Sequence, residues 1–129
     1  MKLARIVFII LVLFNFDSPA YAEPALLLYA NDKQFLGCIN CTKYDQVSIW
    51  NEYGTYGSKY SMQSIWNKYG QYGGKYSIMS PFNAYTINPP KIVDQQGNFY
   101  GYLSKNKYVA QRADTTRLIL AIFAKAEED

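Results

Sequence analysis

Cys38 and Cys41, in Gly-Cys-Ile-Asn-Cys, are the only cysteines among the 129 residues, and the chain has no histidine. The lack of His removes the side chain best suited to proton transfer near neutral pH, and with it the commonest metal ligand. A Cys-x-x-Cys pair can be half of a zinc site, but a closed site needs four ligands and the chain has no further Cys or His to supply them. A thioredoxin-like pair would sit between a strand and a helix start, whereas Cys41 leads into sequence rich in Gly and Asn. In an oxidising compartment the pair is expected to close a local disulfide. Its loop is short and would contribute only ~2 kcal/mol through chain entropy. Asp32, Asp45, Glu52 and Asp94 are the acids nearest the residues discussed below, and none is paired at a spacing that points to acid–base chemistry. The chain holds no Gly-rich phosphate loop and no Ser-His-Asp set. No catalytic residue, metal or cofactor is expected, and the chain reads as a non-enzyme.

The chemistry that remains is aromatic and basic, and it is repeated. From Lys43 the chain runs KYDQVSIWNEYGTYGS (43–58), KYSMQSIWNKYGQYGG (59–74) and KYSIMSPFNAYTINPP (75–90), with ten of sixteen positions identical between the first two units. Trp50, Trp66 and Phe82 hold one phase, and burying such a ring removes ~150–250 Å² from water, so they are the expected anchors of the units. Asn51, Asn67 and Asn83 follow them, a residue type that bonds its own backbone and tolerates left-handed turns. Gly54, Gly57, Gly70 and Gly73 are expected to supply positive φ. Ser48, Ser64 and Ser80 can cap the turn that follows. The units therefore read as turn-dominated loops pinned by one ring, because their Gly spacing spoils helical propensity. Tyr53, Tyr56, Tyr60, Tyr69, Tyr72, Tyr76 and Tyr85 are the candidate binding residues, since Tyr with Ser, Gly and Asn is the composition of adaptable binding loops. Half-buried packing is the alternative for these rings. Lys43, Lys59 and Lys75 each precede a Tyr, and a basic-aromatic row of this kind suits a polyanion or single-stranded nucleic acid. A solvated face is the alternative for the lysines.

The flanking segments must position these loops. ALLLYANDKQFLGCI reads as strand, turn at Asn31-Asp32, strand, and KIVDQQGNFYGYLSKNKYV as strand, turn over 94–98, strand. Phe35-Leu36-Gly37-Cys38-Ile39 resembles Phe99-Tyr100-Gly101-Tyr102-Leu103, and Gly37 and Gly101 mark bulges or a close backbone approach. Two hairpins are marginal alone, so a single antiparallel sheet of about four strands is expected, with the repeats inserted between its halves. Residues 114–126 carry Leu118, Ile119, Ile122, Phe123 and Ala126 at helical spacing, which predicts a C-terminal helix covering the sheet and fraying at its acidic end. The fold class is α+β, mainly β. Residues 1–22 have the layout of a signal peptide: Lys2 and Arg5, an apolar run over 6–14, then Ala20-Tyr21-Ala22. The apolar run is too short to span a bilayer, so no stable membrane anchor is expected after cleavage. One mature domain over 23–129 follows, with 11 basic and 9 acidic residues. That near balance argues against binding carried by phosphate contacts alone.

The run from Leu36 to about Tyr108 resembles a family of bacterial exported proteins. They share a Cys-x-x-Cys opening, two or three SIWN-x-YG-x-YG units and a closing IVD-x-x-G-x-F-YGY hairpin. The third unit here departs from that pattern, with Pro81-Phe82 and no glycine pair. The resemblance implies a bacterial source and periplasmic or secreted localisation. It also implies an accessory binding role, because similar modules occur beside secreted nuclease-like or protease-like domains. It brings no catalytic residues. The expected activity is non-catalytic binding of a protein or glycan of the cell envelope or exterior through the aromatic loops. Polyanion or single-stranded nucleic-acid binding is the alternative, and a hydrolase the third reading.

Overall fold

The structure, a computed structural model, describes residues 23–128, so the signal-peptide expectation for residues 1–22 lies outside the described residues. Strands β1 (Leu27–Tyr29) and β2 (Phe35–Cys38) form one hairpin, and β3 (Lys91–Val93) and β4 (Phe99–Tyr102) the other. They join into one antiparallel sheet in the order β2-β1-β3-β4, with the repeats between its halves. Leu28 and Ile92 pair across the central strands and are buried, and each faces a glycine on its edge strand, Gly37 and Gly101. Both glycines have positive φ beside a register shift. The two bulges make room for close neighbours. A Cβ on Gly37 would lie 2.7 Å from Tyr56 Cβ, and one on Gly101 2.8 Å from Ala113 Cα.

The hairpins match in their connections as well as their strands. Cys38 N–H donates to Val47 O and Ile49 N–H to Cys38 O, while Tyr102 N–H donates to Gln111 O and Ala113 N–H to Tyr102 O. Each pair of positions in the second hairpin lies 64 residues after its counterpart in the first, which is four periods of the 16-residue unit.

Between the hairpins the backbone is a continuous ribbon of turns. The N–H of Ser61, Ser64, Asn67 and Gly70 each donates to the carbonyl three residues earlier, and Gly74 N–H then reaches back four residues to Gly70 O. Four steps of three and one of four make the period of sixteen. Nearly every step begins with a small polar residue whose side chain accepts the N–H two residues on, as Ser64 Oγ does from Trp66 and Asn67 Oδ1 from Tyr69. These side-chain bonds replace the strand pairing the ribbon lacks.

The C-terminal helix, α1 (Arg117–Glu128), begins three residues later than the expected start at 114 and extends two past 126. Ile119 and Ile122 are buried, with Leu118, Phe123 and Ala126 packed beside them, which is the face the spacing predicts. The core it joins also takes in the repeats. Ile119 and Ile122 join the one core that also holds Leu28, Leu36 and Ile92 of the sheet, and Phe123 meets Phe82 of the repeats edge-on, with ring centroids 6.1 Å apart. A stack of rings adds apolar area beyond what three- and four-residue strands offer, so the helix meets the repeats as well. At its acidic end Glu127 pairs with Lys105 Nζ at 2.8 Å. That lysine holds the Glu127 carboxyl below the usual range.

Candidate functional site

Trp50, Trp66 and Phe82 form a ladder, with ring centroids 5.7 Å apart in the first step and 5.8 Å in the second. Each indole N–H donates to the carbonyl of an isoleucine one layer back, Trp50 to Ile39 at 2.7 Å and Trp66 to Ile49 at 2.5 Å. The rings thus register successive units as well as fill the core. Phe82 keeps the stacking without a donor. Asn51, Asn67 and Asn83 each accept the N–H two residues on and donate Nδ2 to a carbonyl six residues earlier: Asp45, Ser61 and Ser77.

The unit glycines have a different purpose from the one their spacing predicted. None of Gly54, Gly57, Gly70 and Gly73 has positive φ, and neither do the ladder asparagines. Close approach is the reason for the second glycine of each pair. A Cβ on Gly57 would sit 1.9 Å from Asn51 O, and one on Gly73 2.3 Å from Asn67 O and 2.4 Å from Ile65 O. The four-residue step folds that peptide onto the turn behind it, and only glycine fits.

With the Trp and Asn positions turned inward, the outward phases are left to Tyr and Lys. Tyr53, Tyr69 and Tyr85 form one series, Tyr44, Tyr60 and Tyr76 a second, all between 81% and 98% exposed. Lys43, Lys59 and Lys75 lie over the rings of Tyr44, Tyr60 and Tyr76 at 5.4, 5.5 and 5.8 Å. Lys107 lies over Tyr108 at 5.4 Å, a pair that nothing in the three-unit motif marks. Its place four periods after Lys43-Tyr44 was the available clue.

Tyr56 and Tyr72 do not join this exposed set. The half-buried Tyr56 ring packs edge-on against Phe35 at 4.8 Å, near the space that Gly37 leaves open. Tyr72 is 5% exposed and donates its hydroxyl to Asp32 at 2.7 Å. Burial first, then that carboxylate, raises the Tyr72 pKa above the ordinary phenol value. Both rings stand just before the second glycine of YG-x-YG, and the folded four-residue step carries them inward.

Two grooves open between the units. The larger, about 770 Å³, lies between the second unit and the end of α1, with Tyr69, Lys75, Tyr76, Phe82 and Phe123 among its walls. The smaller, about 270 Å³, lies one unit earlier and includes Tyr53, Lys59, Tyr60, Trp66 and Lys125. Lys125 sits over the Trp66 ring at 5.2 Å and 3.8 Å from Glu52. The helix therefore contributes to both grooves, which its apolar spacing alone does not announce.

The other chemistry-bearing residues are accounted for structurally. Cys38 and Cys41 are joined in a disulfide with Cα atoms 5.6 Å apart. Asp94 is buried and accepts the N–H groups of Gln96 and Asn98, the Asn98 amide and the Tyr100 hydroxyl. The Asn98 side chain leads in holding its carboxyl below the usual range, while the same carboxylate raises Tyr100. No protein-family model, curated protein or solved structure matches this chain.

Proposed function

We propose that the protein is an exported, non-catalytic binding module that engages a glycan or protein of the cell envelope or exterior through its outward tyrosines. The observation that carries this reading is the sorting of side chains by phase. The Trp or Phe and the Asn turn inward in every unit, while six tyrosines at two recurring phases stand at 81% exposure or more. Exposing that many large rings brings no packing energy, and contiguous exposed apolar rings mark interaction surfaces. The signal-peptide layout of residues 1–22 and the resemblance to bacterial exported proteins support export. Tyrosine suits the role, because its rigid ring gives contact area at low entropic loss and its hydroxyl adapts to polar partners.

The test is co-sedimentation of the purified protein, expressed from the full chain, with washed bacterial envelopes. The native protein should sediment, and Tyr53→Ser with Tyr69→Ser and Tyr85→Ser should stay in solution while melting normally. Equal sedimentation of the two, or none by the native protein, overturns the reading.

A second reading is supported by the four Lys-over-Tyr pairs, which present cation and ring together as polyanion binders do. Its mark is salt. Affinity for a polyanion such as oligo(dT) should fall steeply between 50 and 200 mM salt, as roughly the number of phosphates contacted dictates. Salt-insensitive binding removes it.

A further inference from the structure

We infer that the larger groove is the binding site for an acidic saccharide, a sugar chain carrying carboxylates. This rests on the glycan reading above and names the class of glycan and the place where it binds.

The first support is construction by repeat. Every residue lining the smaller groove except Lys125 has its counterpart sixteen residues later in the larger one. The concavity is thus a property of the unit, generated wherever two units stack, and not an accident of one loop. The floor is glycine: Gly73 and Gly74 pass so close to the turn behind that a Cβ on either would meet a backbone carbonyl, at 2.3 and 3.1 Å. No side chain rises from that floor, whose Gly73 and Gly74 N–H groups both donate to Gly70 O. Tyr69 and Tyr76, both outward, flank that floor. A sugar ring offers an apolar C–H face, which complements the negative face of a tyrosine ring, and a rim of hydroxyls for the polar groups around it.

Charge decides the class. The larger groove has Lys68 where the smaller has Glu52, and among the described residues neither Lys68 nor Lys75 pairs with a carboxylate. The one carboxylate on its wall, Glu127, is already held by Lys105 at 2.8 Å. In the smaller groove Glu52 lies near Lys125, so its charge is answered from within. Lys68 and Lys75 stand outside any ion pair, with Lys75 adding to the charge that keeps Glu127 ionised, and these two ammonium groups call for an anionic ligand; charge-assisted hydrogen bonds to its carboxylates would be the strong ones. Two are too few for a nucleic-acid track, which needs a line of phosphate contacts.

The experiment is calorimetric titration of the purified protein with three probes: oligogalacturonate, its fully methyl-esterified form, and oligo(dT). Oligogalacturonate should bind at least about tenfold more tightly than the ester, since a hydrogen bond to a charged group is worth about that factor. Lys68→Gln with Lys75→Gln should bring it to the level of the ester, and Tyr69→Ser should weaken both. Circular dichroism and melting of each variant provide the folding check; these side chains are exposed, and no change is expected. Equal binding of acid and ester, or indifference to the double lysine variant, overturns the inference. So does failure of oligogalacturonate to bind, or oligo(dT) binding that competes as well as the acid. If envelope sedimentation still depends on the three tyrosines in those cases, the general binding reading survives and only the acidic groove falls.

Discussion

Gly73 and Gly70 look alike in the sequence, each following a tyrosine, yet the backbone uses them differently. A Cβ on Gly73 would lie 2.3 Å from Asn67 O, whereas on Gly70 it would meet the Asn67 side chain at 3.5 Å, ordinary contact. Gly73→Ala should therefore cost about 1–3 kcal/mol by forcing the four-residue step apart. Gly70→Ala should be close to neutral. Urea midpoints of the two variants check this, and equal midpoints would mean that the close approach carries no energy. Asn67 illustrates the same dependence on position: one amide closes its own turn and reaches a carbonyl six residues back. Its residue type was legible as turn chemistry, but the second bond was not, because it needs the ribbon coiled.

Among the elements, the β3–β4 turn is organised by a single buried carboxylate. Asp94 receives four hydrogen bonds, and they favour its ionised form. A carboxyl held below its unfolded value stabilises the fold above that value, near pH 4, and the contribution is lost as pH falls through the folded value. Asp94→Asn should accordingly be less stable than the native protein at pH 7, with the difference shrinking below about pH 4. Urea unfolding from pH 7 to pH 2 measures the difference, and a gap that stays constant with pH would contradict it. The corresponding position in the first hairpin, 64 residues earlier, is Ala30, which accepts the turn bond through its backbone alone. The two hairpins share a backbone path and reach it by different side-chain means. Both were legible from alternation and turn residues, as were the helix and its apolar face. That this face also meets the repeats was not legible, since apolar spacing identifies a buried stripe without naming what buries it.

For the molecule as a whole, stability rests on the ring ladder and the sheet, with the disulfide secondary. Cys38→Ser with Cys41→Ser should lower stability by no more than ~2 kcal/mol, because the closed loop is so short. The variant should keep native far-ultraviolet and aromatic circular dichroism; loss of the fold would show that the bridge holds Cys38 and Ile49 in register. The same architecture separates packing from recognition. Rings on the axis hold successive units at a spacing near 5.8 Å, and the outward phases are free to meet a partner. Substitution at Tyr53 or Tyr69 should therefore affect binding without affecting melting.

Periodicity, turn chemistry and the hairpin patterns are local properties of the chain, so the sequence was enough to show a four-stranded sheet, an inserted repeat and a terminal helix. The sixteen-residue period was visible there too, but not its composition of four short turns and one long. That division depends on which carbonyl each N–H reaches. Three-dimensional packing alone separated Tyr56 and Tyr72 from the outward tyrosines, gave the glycines their steric purpose, and brought Lys68, Lys75 and the end of α1 around one groove. These are relations between residues distant along the chain, and close packing sets them only once the units have stacked.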